Sequence, residues 1–233
     1  MRIDCHSHVL PGIDDGSKNV EESLSMLRES ARQGVSLMAA TPHFYAQEQS
    51  IGHFLARRQH AWEKLKPNLE DQVPDILLGA EVHYFEGISA NEDVVRLKLE
   101  RTDLLLLEMP FRPWSQREIS DVFELANRPD LTILMAHIER YFSTTPVKLW
   151  EQFRSLGILF QCNTEFFLNW RTRRKALRLV AQHQIDFLGS DCHNTTRRPP
   201  NLAGALDLIE KKLGADALRE FSQREATLLG CID

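Results

Sequence analysis

Apolar residues along the chain alternate between short dense runs and stretches with a period near 3.6 residues. The dense runs read as strands: Arg2 to His8, Val35 to Thr41, Asp75 to Val82, Asp103 to Glu108, Leu131 to Ala136, Ile158 to Asn163 and Phe187 to Ser190. The run inside Asp103 to Glu108 is unbroken Leu104 to Leu107, the pattern of a strand buried on both faces. Helical periodicity covers Val20 to Gln33, Phe54 to Leu65, Gln116 to Ala126, Pro146 to Leu156, Thr172 to His183 and Leu202 to Leu213. A short helical stretch covers Glu92 to Leu99, and a last segment closes the chain near Ala217 to Leu229. Asn19 with Glu22 three residues on predicts a helix start, Gly34 a helix stop, and Pro146 sits where proline suits a first turn.

Strand and helix therefore alternate through βα units of roughly 30 residues, which implies parallel strands with helices outside. A doubly wound open sheet and a closed barrel both satisfy that order. No linker, low-complexity tract or shift in composition divides the chain, so residues 1–233 read as one domain.

Composition narrows the class. Apolar residues make up 42% and charged residues 26% of 233, enough apolar mass to offset chain entropy and exclude disorder as the main state. No apolar run approaches the roughly 20 residues that span a bilayer, so no membrane insertion is expected. The net charge of −5 argues against a nucleic-acid binder. No apolar segment follows Arg2, as a secretory signal would require. Cys5, Cys162, Cys192 and Cys231 are widely spaced with no C-x-x-C pair, which fits a reducing cytoplasm better than a disulfide framework.

The polar residues carry the chemistry through their positions. Strand one ends in His6-Ser7-His8, strand two in Thr41-Pro42-His43, and strand three in Glu81 and His83. Strand four ends in Glu108, strand five in His137-Ile138-Glu139-Arg140, and strand seven in Ser190-Asp191-Cys192-His193. In a barrel these ends converge on one rim, whereas along an open sheet they could not all meet, so the pattern favours the barrel. His6 and His8 share one face of a strand, as do Asp191 and His193. His53, His60 and His183 fall in helical or loop stretches and read as surface residues.

The candidate ligands are His6, His8, Asp15, His43, Glu81, Glu108, His137, Asp191 and His193. Five imidazoles and four carboxylates exceed one ion and imply two or three divalent ions. Nitrogen and oxygen donors without thiolate suit manganese, iron or zinc. Three such ions against four carboxylates leave a positive surplus that attracts a phosphate dianion, and a bridging water would ionise near neutral pH to become the nucleophile. Arg140, three residues after His137, and Arg198, five after His193, are candidates to clamp phosphate oxygens. Arg171, Arg173, Arg174 and Arg197 are further candidates for substrate docking.

The string Asp4-Cys-His-Ser-His-Val-Leu-Pro-Gly-Ile-Asp-Asp-Gly16 resembles the opening motif of the polymerase and histidinol phosphatase (PHP) superfamily. With Thr41-Pro42-His43, Gly79-Ala-Glu-Val-His83, Ala136-His-Ile-Glu-Arg-Tyr141, Gly189-Ser-Asp-Cys-His-Asn194 and Arg198-Pro199-Pro200, the chain more narrowly resembles the manganese-dependent tyrosine phosphatases of bacterial capsule and exopolysaccharide operons. The resemblance spans essentially the whole chain. It implies an α/β fold, a distorted seven-stranded TIM-like barrel, with a trinuclear centre. It places His6, His8, Glu81 and Asp191 on one ion, Glu81, Glu108 and His137 on a second, and Asp15, His43 and His193 on the third. Arg140 and Arg198 fall at the phosphate arginines. The implied substrate is the phosphotyrosine tail of a cytoplasmic tyrosine autokinase that works with a membrane polysaccharide co-polymerase. A homo-oligomer is compatible with the sequence.

Other readings turn on particular residues. Cys192 to Arg198 fits C-x5-R, the thiolate loop of cysteine-dependent phosphatases, but its intervening residues include no glycine and it straddles the Asp191/His193 pair. Histidinol-phosphate phosphatase is the runner-up, and Asp15 favours the capsular branch because histidinol phosphatases tend to carry His near that place. An amidohydrolase would want a carbamylated lysine where Glu108 stands. A regulatory metal-binding domain would tolerate an incomplete ligand set, and this one is complete.

Overall fold

The computed structural model describes residues 1–230, so Cys231 lies outside the described residues. Among the described residues nine strands are present: β1 (Arg2–Ser7), β2 (Val35–Ala40), β3 (His43–Phe44), β4 (Asp75–Leu78), β5 (Glu81–His83), β6 (Leu104–Glu108), β7 (Thr132–Met135), β8 (Leu159–Asn163) and β9 (Phe187–Gly189). All pair in parallel, in one ladder β1-β2-β4 and a second β3-β5-β6-β7-β8-β9.

Every predicted strand segment is found, but two of the seven are not continuous. The segment Val35 to Thr41 stops at Ala40, and β3 begins after Thr41-Pro42. Pro42 has no N–H to give the ladder, yet its carbonyl accepts from Glu81 N at 3.0 Å. The segment Asp75 to Val82 breaks at Gly79-Ala80, where Gly79 N still bonds Ala40 O at 2.9 Å. A side chain at Gly79 would run into Leu99. The two breaks shift the pairing from one ladder to the other and turn His43 and Glu81 into the starts of new strands.

The sheet curls until β9 stands beside β1. Asp191 N bonds His6 O at 2.8 Å and His8 N bonds Cys192 O at 2.9 Å, with Ser7 and Cys192 bridged in parallel. Along β6 the side chains alternate: Leu104 and Leu106 join an apolar cluster with Leu37, Leu77, Leu134 and Phe187, while Leu105 and Leu107 face the helices. Burial on both faces explains the unbroken leucine run. Glu108 continues the face of Leu104 and Leu106. Ala226 and Leu229 cover that cluster from the C-terminal segment.

The helices are α1 (Val20–Arg32), α2 (Ile51–Leu65), α3 (Gln116–Ala126), α4 (Val147–Ser155), α5 (Thr164–Leu168), α6 (Arg173–Ala181), α7 (Leu202–Leu213) and α8 (Ala215–Leu228). Asn19 caps α1 by accepting from Glu22 N at 3.0 Å. Helix α2 starts earlier than its apolar period suggests, because Ser50 caps it by accepting from His53 N. The stretch expected over Glu92 to Leu99 is a 3-10 helix over Glu92–Leu97. The short α5 was not legible, as it follows β8 with no intervening loop. Among the described residues no helix is long and apolar enough to cross a membrane.

Candidate metal centre

Strand ends and the loops after them bring all nine candidate ligands together. Glu81 is the hub. Its Oε2 lies 3.2 Å from His6 Nε2, 3.3 Å from His8 Nε2 and 2.9 Å from His43 Nδ1, and its Oε1 lies 2.8 Å from His137 Nε2. Glu108 Oε1 approaches the same His137 nitrogen at 3.2 Å. Asp191 Oδ1 stands 3.6 Å from His6 Nε2, 3.5 Å from His8 Nε2 and 3.7 Å from His193 Nδ1. Asp15, exposed on the loop after β1, reaches His43 Nε2 at 3.4 Å and His193 Nε2 at 3.3 Å. Three overlapping sets have donor atoms within 4.8 Å of one another: His8, Asp15, His43 and His193; His6, His8 and Glu81; His43, Glu81 and Glu108.

Divalent ions fit this arrangement. Among the described residues three buried side-chain atoms lack a hydrogen-bond partner, and two of them are His43 Nδ1 and Glu81 Oε2. They are 2.9 Å apart but not aligned as donor and acceptor, so both face space that a cation would satisfy. The donors are imidazole nitrogen and carboxylate oxygen with no thiolate.

The far side of most rings is engaged, which fixes the side that faces the centre. Asp14 Oδ2 accepts from His8 Nδ1 at 2.7 Å. Gln161 Oε1 accepts from His6 Nδ1 at 3.2 Å and from His137 N at 2.7 Å. His193 Nδ1 lies 2.9 Å from its acceptor Asp191 O, and His137 Nδ1 lies 3.3 Å from Tyr141 Oη, which accepts from Met109 N. His137 (φ 31°) and Asp191 (φ 52°) occupy the left-handed region that non-glycine residues avoid. That is strain held in place by their partners.

Charge inside the cluster is strongly shifted. Burial alone would neutralise Glu81, but His6, His137 and His43 hold its carboxyl well below the usual range. Glu108 is likewise held down at about 2, against burial, by His137 and His83. His137 is raised to about 9: burial disfavours its charge, and Glu108 and Glu81 outweigh burial. His8 is raised well above an ordinary imidazole, chiefly by Asp14 acting against burial. His193 is pushed down to about 4 by burial and then by the neighbouring charges of His8 and Arg198.

The two arginines meet on one atom. Arg140 Nη2 lies 2.8 Å and Arg198 Nη2 2.6 Å from Asp191 Oδ2, which also accepts from Asn163 Nδ2 at 2.8 Å. Arg198 Nη1 also donates to His193 Nε2 at 2.8 Å. Both guanidinium groups border an open cavity of about 340 Å³ with His43, Tyr45, His83 and Phe111.

The capsular polysaccharide synthesis CpsB/CapC family model matches residues 2–229. The chain belongs to this family. It is 31% identical over 235 residues to the tyrosine-protein phosphatase CpsB of Streptococcus pneumoniae, covering 94% of each chain. It is 30% identical over 234 residues to CpsB of Streptococcus agalactiae serotype III, again covering 94% of each. Among solved structures it resembles one from the crystallographic description of YwqE from Bacillus subtilis and CpsB from Streptococcus pneumoniae as unique metal-dependent tyrosine phosphatases. The TM-score is 0.81 at 26% identity, over 97% of this chain and 94% of that one.

In this CpsB/CapC chain Cys192 is fully buried in the apolar core, and burial pushes its thiol far above the ordinary value. That is the opposite of a nucleophilic cysteine. His53, His60 and His183 are exposed, as expected. Arg173 donates to Phe167 O and Leu168 O at the end of α5, so it serves the fold, while Arg171 lies over the Trp170 ring and Arg197 is exposed. The residues not singled out from sequence are Asp14, Gln161, Asn163 and Tyr141. Asp14 had a signal, as the neighbour of Asp15. Gln161 and Asn163 had none, since a polar residue in a strand carries no mark of what it faces.

Proposed function

We propose that this chain is a metal-dependent protein-tyrosine phosphatase that works in the cytoplasm. Its proposed substrate is the phosphotyrosine tail of a tyrosine autokinase regulating capsular polysaccharide or exopolysaccharide synthesis. The observation that carries the reading is the pairing of the unpartnered Glu81 Oε2, surrounded by three imidazoles, with two arginines at the adjacent cavity. The names of the relatives supply the substrate class. We read the curled strands as a distorted seven-stranded barrel whose rim holds three ions, manganese first, with iron or zinc as alternatives.

His6, His8, Glu81 and Asp191 would hold one ion, Glu81, Glu108 and His137 a second, and Asp15, His43 and His193 a third. Such ions supply a water acidic enough to act as nucleophile near neutral pH and positive charge against phosphate oxygens. The rest falls to the protein. Arg140 and Arg198 have about two-fifths of their side chains exposed, so they can turn a guanidinium edge to a phosphate while staying near Asp191. Their charge is placed to stabilise the equatorial oxygens as the ester bond breaks. A phenolate leaves with little acid assistance, because a phenol has a pKa of about 10. No cysteine phosphoenzyme is needed on the way, as Cys5 and Cys192, the cysteines next to candidate ligands, are both buried.

The test compares phosphate release from a phosphotyrosyl peptide and from histidinol phosphate, with purified protein in Mn²⁺ and a chelated control. Chelator-sensitive preference for the peptide is expected. Preference for histidinol phosphate would overturn the tyrosine phosphatase reading.

A further inference from the structure

We infer that Phe111 is a specificity residue of this site, a fixed aromatic wall that binds the ring of an aryl phosphate beside the phosphate arginines. The inference rests on the phosphatase reading and adds how that site would select tyrosine.

Large apolar side chains exposed among the described residues are Met1, Phe111, Val147, Leu156, Trp170 and Leu228. Of these, Phe111 alone lines the cavity bordered by Glu81, Glu108, Asp191, Arg140 and Arg198. An exposed phenylalanine is ordinary on a surface. A phenylalanine held still with 57% of its surface open onto a charged cavity calls for a partner.

Several contacts hold it still. The ring stacks on Tyr141 at 5.8 Å between centroids and 17° between planes, and lies 5.6 Å from the His137 ring. The Arg140 guanidinium carbon sits 5.4 Å from its centroid, within cation–π range. On either side the loop is tied down. Pro110 O accepts from Arg112 N at 2.9 Å and from Trp114 Nε1 at 3.0 Å, and Arg112 forms a two-pronged pair with Glu118 at 2.6 and 3.0 Å. Glu118 is fixed in turn by the Ser115 capping box that starts α3. Little ordering is left for a ligand to impose, which is what makes a rigid aromatic surface effective in binding.

The chemistry follows from adjacency. A phosphate gripped by Arg140 brings its ester substituent next to the ring that Arg140 itself rests on. A phenyl group there gains an aromatic contact, and an alkyl group gains much less. The cavity of about 340 Å³ is of the size that takes a small ligand, and Tyr45, tilted against the His43 and His83 rings, forms another aromatic part of its lining.

The experiment separates ring binding from turnover by using phosphonates, which are not cleaved. Affinities for phenylphosphonate and methylphosphonate are measured by calorimetry on Mn²⁺-loaded wild type, Phe111→Ala and Phe111→Trp. Wild type is expected to prefer the phenyl ligand about tenfold, the equivalent of one aromatic contact. In Phe111→Ala that ratio falls to about one, and in Phe111→Trp it is retained. A ratio unchanged in Phe111→Ala, or a wild type with no preference, overturns the inference. Because no bond is broken, failure of the phosphatase reading would appear separately, as absence of phosphate release by wild type.

Discussion

Asp14 Oδ2 accepts from His8 Nδ1 at 2.7 Å and so fixes which nitrogen of His8 faces Glu81. The same carboxylate accepts from His43 N and Gly16 N, both at 3.0 Å. Its neighbour Asp15 turns outward to His43 and His193 instead. Two adjacent aspartates thus take two tasks, one orienting ligands and one offering itself as a ligand.

Asp14→Asn removes the charge that holds His8 while keeping the size of the side chain. Mn²⁺ affinity is expected to fall by about 10- to 100-fold, the usual cost of losing a partner behind a ligating histidine. Titration followed by the electron paramagnetic resonance of free Mn²⁺ reads this directly. Wild-type affinity in this variant would mean that Asp14 is not needed to orient His8.

Removal of metal should expose a particular pH dependence. His137 is raised from 6.5 to about 9, so its charged form adds stability that is full below pH 6.5 and lost as pH rises through 9. His8 is shifted in the same direction. His193 is shifted downward and acts in the acid range, between 6.5 and about 4, so it does not interfere above pH 6.5. Metal binding has the opposite sign, since a coordinating His137 must release its proton. With chelator the melting temperature should decline from pH 6.5 to 9, while the increment added by Mn²⁺ grows over the same range. A flat increment would show that His137 holds no proton for the ion to displace.

Much of this candidate centre was legible in the sequence because its candidate ligands lie where strands end. The H-x-H and D-x-H spacings, Glu81, Glu108 and His137 all follow that rule, and the structure links all nine candidates in one cluster, with Glu81 touching four of the imidazoles and Asp15 joining His43 to His193. The breaks at Thr41-Pro42 and Gly79-Ala80 were not anticipated, because apolar periodicity runs through them. Pro42 has no N–H for the ladder, and Gly79 stands where a side chain would meet Leu99. Gln161 was invisible for another reason. Its role depends on β8 placing it against His6 and His137, residues 155 and 24 positions away. Phe111 follows a strand end as well, but an apolar residue in a loop gives no sign of facing a charged cavity.

Arg140→Ala and Arg198→Ala should each lower kcat about 10²- to 10³-fold, the range for losing one charged donor at a developing oxyanion. Lysine should restore little in either place, because it lacks the planar fork. Bound metal, counted by elemental analysis, should stay at the wild-type level, since neither arginine is a candidate ligand. Metal loss in these variants would place the arginines in the support of Asp191 rather than at the phosphate.

Gly189 ends β9 where β1 comes closest. A Cβ there would lie 2.5 Å from His6 Cβ and 2.9 Å from Gln161 Nε2, so Gly189→Ala must displace a candidate ligand and its partner together. The overpacking should cost about 1–3 kcal/mol of stability and reduce bound Mn²⁺ as well. Thermal unfolding with and without chelator separates the two effects. An alanine variant with wild-type metal content would show that His6 has room to retreat.

The sharpest division between the two phosphatase chemistries lies in Cys192 and His6. Cys192 is fully buried among apolar side chains, its thiol is pushed far up by burial, and His6 stands 3.2 Å from Glu81 Oε2. Cys192→Ser replaces a buried sulfur by a hydroxyl, so it should lower stability while keeping most of the phosphate release per folded molecule. His6→Ala should abolish release and lower bound metal with little effect on exposure of the core. Both are measured on the same phosphotyrosyl peptide in Mn²⁺, with folded fraction set by circular dichroism. The reverse outcome, an inactive Cys192→Ser and an active His6→Ala, would replace the metal centre with a thiolate at the head of the Cys192 to Arg198 loop.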